Sequence, residues 1–107
     1  MFPQCKCINM IDYLSYIPKS FRLGAQEYEV KIVDHLDDDI YGDYSYTPPQ
    51  IRIARYTGDE KISDKQMLAT FYHELGHCMD YMFDCTTDEA HAQCFSNFMM
   101  EFLESKK

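Results

Sequence analysis

The stretch from Ser63 to Phe83, SDKQMLATFYHELGHCMDYMF, constrains this chain most, because it carries both a start signal and a sustained helical pattern. Ser63 followed three residues later by Gln66 has the spacing of a capping box, which satisfies two backbone donors left unpaired at a helix start. Ile62 and Met67 flank that start where a hydrophobic staple would sit. At about 100° per residue, Leu68, Phe71, Leu75, Cys78 and Met82 fall on one apolar stripe. The spacing predicts a helix from Ser63 to about Phe83 with that stripe on the core. His73 and His77 lie on nearly the opposite side with Gln66, Thr70 and Asp80, so the stripe does not account for them.

The rest of the chain supplies layers for this helix to pack on. YEVKIVD sets Tyr28, Val30 and Ile32 against Glu29 and Lys31, the alternation of a strand. DIYGDYSYTPPQIRIARY predicts two strands joined across Thr47-Pro48-Pro49, with Ile51 and Ile53 on one face of the second. Gly42 inside the first marks a bulge or a close approach by another element. TGDE (57–60) then ends the sheet. Ile11, Leu14 and Ile17 before Pro18 predict a short N-terminal helix. DCTT (84–87) breaks the central helix, and a second long helix is expected from Thr86 or Thr87 to about Glu104. Its apolar stripe is Ala92, Phe95, Met99, Phe102 and Leu103. The expected fold is α+β, a three-stranded sheet packed by two long helices and a short N-terminal one. All 107 residues fit a single domain, 1–107.

A formal charge of -8 argues against nucleic acid or an anionic membrane as partner, since both need Lys and Arg to neutralise phosphate. MFPQCKCINM has no basic region leading into an apolar run, which points to a cytosolic protein. Five cysteines form no C-x-x-C pair, and thiols in the cytosol stay reduced. Cys5-x-Cys7 lacks the spacing of a zinc knuckle, and Cys78 and Cys94 read as small core residues.

His73 and His77, four residues apart, have Cβ atoms about 6 Å from one another on one helix face. Two imidazole nitrogens so placed converge on a single zinc ion with bonds of about 2.0 Å. Glu74 lies about 100° around the helix from His73, outside the first shell but within reach of a water held there. A carboxylate at that place takes the proton of a water attacking a carbonyl and passes it to the leaving amine. Gly76 costs about 1 kcal/mol relative to Ala in a helix, and its place off the stripe allows another backbone to come close.

A catalytic zinc needs a third protein ligand. Asp80 and Phe83 stand where a metzincin would have Gly and His, which excludes that class. Asp84, Asp88, Glu89 and His91 follow the turn, and periodicity alone does not choose between Glu89 and His91. Thr86-x-x-Glu89 also has capping-box spacing, a structural role for the same glutamate. For the group that stabilises the developing oxyanion, Tyr44, Tyr46, Tyr72 and Tyr81 are candidates.

HELGH followed by DEAHAQCFSNFM resembles the ImmA/IrrE-type zinc metallopeptidase-like domains, whose H-E-x-x-H precedes a helix patterned E-x-x-A-x-x-F-x-x-x-L. Glu89, Ala92, Phe95 and Met99 take those places, with Ser96 where a small Ala is usual. The resemblance implies a minimal zincin-like fold, one zinc per chain, His73, His77 and Glu89 as ligands and Glu74 as general base. It further implies hydrolysis of a peptide bond in a cytosolic protein or peptide substrate. The strand QIRIARY would be the edge strand against which an extended peptide pairs.

Two other functions fit the same residues. A silent binding or inhibitor module would keep the fold and act by occupying a partner, with DHLDDD (34–39) and Asp43 meeting a basic surface. A structural zinc site would close with Asp88, His91 or Cys85 as a fourth ligand.

Overall fold

The computed structural model describes residues 11–23, 25–82 and 89–105; the side chain of Met82 is outside that description. Six strands and two helices follow in the order β1 (Ser20–Leu23), β2 (Gln26–Val33), β3 (Gly42–Tyr46), β4 (Pro49–Ala54), β5 (Tyr56–Thr57), β6 (Glu60–Lys61), α1 (Asp64–Met82) and α2 (Glu89–Ser105). The chain is α+β. The main sheet has four strands, not the three expected, in the order β1-β2-β4-β3. β2 and β4 run parallel, and β1 and β3 flank them antiparallel.

Alternation explains the sheet's two faces. Phe21, Tyr28, Val30, Ile32, Ile51 and Ile53 share one side with Gly42 and Tyr44, as the register Val30↔Ile51↔Tyr44 requires. That side carries the core, with Tyr28, Ile51 and Ile53 almost wholly buried. Glu27, Glu29, Lys31, Arg52 and Asp43 occupy the other side, where Arg52 Nε donates to Asp43 Oδ1 at 2.9 Å. The sheet is thus packed on one face only.

Three expectations need correction here. The extra strand β1 is four residues long, too short for its alternation of Phe21 and Leu23 with Ser20 and Arg22 to register as a period. Instead of an N-terminal helix, the described residues form one 3-10 turn, Tyr13–Tyr16, because Pro18 forces the chain to extend within a few residues. TGDE does not simply end the sheet: Gly58, at φ +57°, turns β5 back onto β6 in a minimal hairpin.

α1 begins as expected, with Ser63 Oγ accepting from the Gln66 backbone N–H at 3.1 Å. The reciprocal half of the box is absent, since the Gln66 amide donates to Thr70 Oγ1 at 3.3 Å instead. Leu68, Phe71 and Cys78 pack into the core as the stripe predicts. The opposite side is buried too, with Thr70, Glu74, His77 and Asp80 each under a tenth exposed. α1 is therefore the middle layer, with the sheet on one side and α2 on the other.

α2 is rotated from its expected face. Ala92, Ser96, Met100 and Leu103 are buried, while Phe102 is 55% exposed and Phe95 and Met99 lie at the margin. The reason is a close crossing: a Cβ on Gly76 would stand 3.4 Å from Ala92 Cα and 3.3 Å from the Phe95 ring. Only small side chains fit there, and Ser96 Oγ donates to the Ala69 carbonyl at 2.8 Å. Cys94, expected in the core, is exposed by the same rotation, whereas Cys78 is buried.

Candidate metal centre

Gly76 and Gly42 set the walls of the site. Because Gly76 lets Ala92 approach, Glu89, three residues before Ala92 on the same helix face, reaches the side of α1 that bears the histidines. On the sheet side, a Cβ at Gly42 would fall 2.5 Å from Thr70 Cγ2 and 3.5 Å from Glu74 Cγ. β3 therefore lies directly along α1, as its glycine foretold. Gly42, Tyr44 and Tyr46 advance about 6.6 Å per pair. Thr70/Glu74, His77 and Tyr81 advance about 5–6 Å per turn. The two periods stay in step: Tyr44 stacks on His77 with centroids 5.1 Å apart, and Tyr46 stacks on Tyr81 at 3.7 Å.

His73, His77 and Glu89 converge, with one ligand atom from each all within 4.8 Å of one another. His73 Nε2 lies 2.8 Å from Glu89 Oε1, and His77 Nε2 lies 2.9 Å from Glu89 Oε2. His77 is 2% exposed and Glu89 is open to solvent, its side chain 79% exposed. These three residues could hold a metal ion.

Two features of this structure fit an ion. His77 Nε2 and Nδ1 are buried without a hydrogen bond, so the 2.9 Å contact with Glu89 lacks the angle a proton bridge requires. His73 Nδ1 faces Gln93 Oε1 at 3.1 Å while its Nε2 faces Glu89, so both nitrogens look at acceptors. A neutral imidazole carries one proton, so the second nitrogen is served either by a second proton or by a metal ion. Hydrogen bonding to His73 and the charge of His77 hold the Glu89 carboxyl below its ordinary range.

Glu74 sits beside the cluster, 8% exposed. Burial pushes its carboxyl up to about 7, with Glu89 and Asp43 adding to the rise and His73 opposing it. A groove of about 600 Å³ opens from Glu74 and His73 between α1 and α2.

The alternatives raised by the sequence separate here. His91 does not join the cluster: its Nδ1 lies 3.1 Å from Oδ2 of the buried Asp80, away from the histidine pair. Cys5, Cys7, Asp84, Cys85, Thr86, Thr87 and Asp88 fall outside the described residues, as does Phe83. Among the four tyrosines, Tyr72 packs between Phe71 and Phe95, and Tyr81 is half exposed on the far side of Tyr46. Tyr44 is the one whose ring covers His77. QIRIARY is not the edge strand, because β4 is hydrogen-bonded on both sides; β3 is the edge next to the site. The acidic run 34–39 is exposed except for Leu36, and it is tied to the β5–β6 hairpin by Arg55–Asp34 and by the Gly58 N–H to Asp39.

Sequence reasoning missed Gln93, which holds the His73 ring and whose Nε2 donates a hydrogen bond to Asn97 Oδ1 at 2.9 Å. Its signal was present: Glu89, Gln93 and Asn97 recur every four residues along one side of α2. Compared with family models, curated proteins and solved structures, the chain matches none.

Proposed function

We propose that this chain is a minimal zincin-like metallopeptidase of the ImmA/IrrE type, holding one zinc through His73, His77 and Glu89. The observation that carries the reading is the convergence of these three side chains with the buried Glu74 beside them. Zinc bound there would supply a Lewis acid that polarises the scissile carbonyl and its attacking water. Glu74, buried beside the cluster, stands where a carboxylate can accept a proton from the attacking water and release it again. It takes a proton as water oxygen bonds to the carbonyl carbon, then delivers it to nitrogen as the C–N bond breaks. Gln93 keeps the Nε2 of His73 turned toward the site. The outer edge of β3 offers backbone groups for an extended peptide, with Gly42 placing that strand against Glu74.

The substrate is a protein or peptide, and the proposed setting is the cytosol. No helix among the described residues is long and apolar enough to cross a membrane. The free edge of β3 also suits a second reading, a silent module that binds a peptide without cutting it.

The test is metal content and peptide cleavage of the zinc-loaded protein beside Glu74→Gln and Glu89→Ala. One zinc per chain, lost in Glu89→Ala, with cleavage abolished in Glu74→Gln, supports the peptidase. Zinc retained in Glu89→Ala overturns the ligand set, and peptide binding without cleavage in wild type favours the silent module.

A further inference from the structure

The groove beside Glu74 has a chemistry of its own. It runs between α1 and α2 from His73 and Glu74 at one end to Lys65 and Glu104 at the other, with Tyr41 and Gly42 at its mouth. Nine helical rises from Lys65 to Glu74 make it about 13 Å long. Its walls are polar and apolar in about equal measure, with Gln66, Thr70, Gln93 and Asn97 lining it between the ends beside Ala69 and Met100. Such a lining suits a side chain with an apolar stem and a polar or charged end, the stem on Ala69 and Met100 and the end among hydrogen-bonding groups.

The charge balance is one-sided. Lys65 is the sole cation of the lining, and it is engaged by Glu104 at 2.9 Å, which also accepts from the Tyr13 hydroxyl at 2.9 Å. Glu101 lines the same groove and has no ion pair among the described residues. Glu74, more than nine-tenths buried, opens onto the other end.

Distance selects the length of the guest. Gln93, bonded to His73, and Glu101 stand two turns apart on α2, about 12 Å along its axis. An extended lysine stem spans about 6 Å, and a glutamate reaches back about 4 Å. A long cationic side chain leaving the substrate backbone near His73 meets Glu101; a short one stops in the polar middle.

We propose that this groove is a specificity subsite for lysine or arginine next to the scissile bond, with Glu101 as the charge partner. The inference rests on the peptidase reading. The experiment profiles cleavage of a mixed synthetic peptide library by the zinc-loaded wild type, Glu101→Gln and Glu101→Lys, with Glu74→Gln as blank. Lysine or arginine is expected beside the cut. Reversing the charge removes an attraction and adds a repulsion, so kcat/KM for a lysine peptide should fall roughly tenfold in Glu101→Lys, with a smaller fall in Glu101→Gln. A matched norleucine peptide should change less than twofold. Glu74-dependent cleavage with apolar residues at that position, or a lysine preference untouched by Glu101→Lys, overturns the subsite and leaves the peptidase standing. No cleavage of any peptide by wild type overturns the peptidase, and the subsite with it.

Discussion

Replacing Gly42 with alanine tests whether β3 really lies hard against α1. The added Cβ would stand 2.5 Å from Thr70 Cγ2 and 2.9 Å from the Arg52 carbonyl oxygen, both closer than such atoms approach. Thr70 is 6% exposed and cannot swing into solvent, and the Arg52 oxygen belongs to the neighbouring strand backbone. The edge strand must therefore move, and overpacking of this kind costs about 1–3 kcal/mol. Taking about 2 kcal/mol, and about 4 °C per kcal/mol for a domain near this size, the melting temperature should drop by about 8 °C. Thr70→Ser removes the nearer obstacle but leaves the Arg52 oxygen in place. In the double variant about half the loss should return, a coupling of about 1 kcal/mol. Thermal melts of the four proteins by circular dichroism give the cycle directly. A Gly42→Ala melt within 2 °C of wild type, or no coupling to Thr70→Ser, would refute the close packing.

Three further expectations follow from the same geometry. Tyr44 takes the place of a hydrogen bond in orienting His77, so Tyr44→Ala should weaken zinc binding about tenfold while Tyr44→Phe leaves it unchanged, measured by chelator competition; equal losses in both would assign the effect to the hydroxyl instead. Burial pushes the Cys78 thiol up to about 12, whereas Cys94 is exposed, so iodoacetamide at pH 8 should label Cys94 in the native protein and Cys78 only on unfolding, as peptide mass spectrometry can read. The Glu104 carboxyl is held below its ordinary range by Lys65 first and Tyr13 second. A folded-state value below the unfolded one means stability present above about pH 4.3 and lost as pH falls through the depressed value. Glu104→Gln should abolish that part of the acid dependence, by no more than about 1 kcal/mol because Lys65 is over half exposed.

What could be read from the sequence was local. The spacing of His73 and His77, the Ser63 cap and the glycines at 42 and 76 each act through neighbours three or four residues away or through the lack of a side chain; the structure brings the histidines together on one face, forms the Ser63 half of the capping box, and has close approaches at both glycines. Strand order is not local. β4 reads like any alternating strand, and nothing within PQIRIA tells that β2 will pair along one side of it and β3 along the other. The face of α2 was misjudged because periodicity weights Phe102 above Ser96, while a close crossing at Gly76 selects the smaller residue. The histidines were rightly separated from the apolar stripe. The burial of His77 is not legible in the sequence, because it depends on β3 and α2 closing over a face that carries no apolar residues of its own.

Glu89, Gln93 and Asn97 recur every fourth residue on α2, so one helix supplies the carboxylate of the cluster, the amide that faces His73, and the support for that amide. The two histidines belong to the middle layer and cannot leave without the core. An ion held here would therefore have a residence time set by how often α2 lifts away as a unit, not by the breaking of single coordinate bonds. A peptide wedged in the groove between the helices would lean on that same hinge, and its arrival would change the rate at which the ion exchanges with solution.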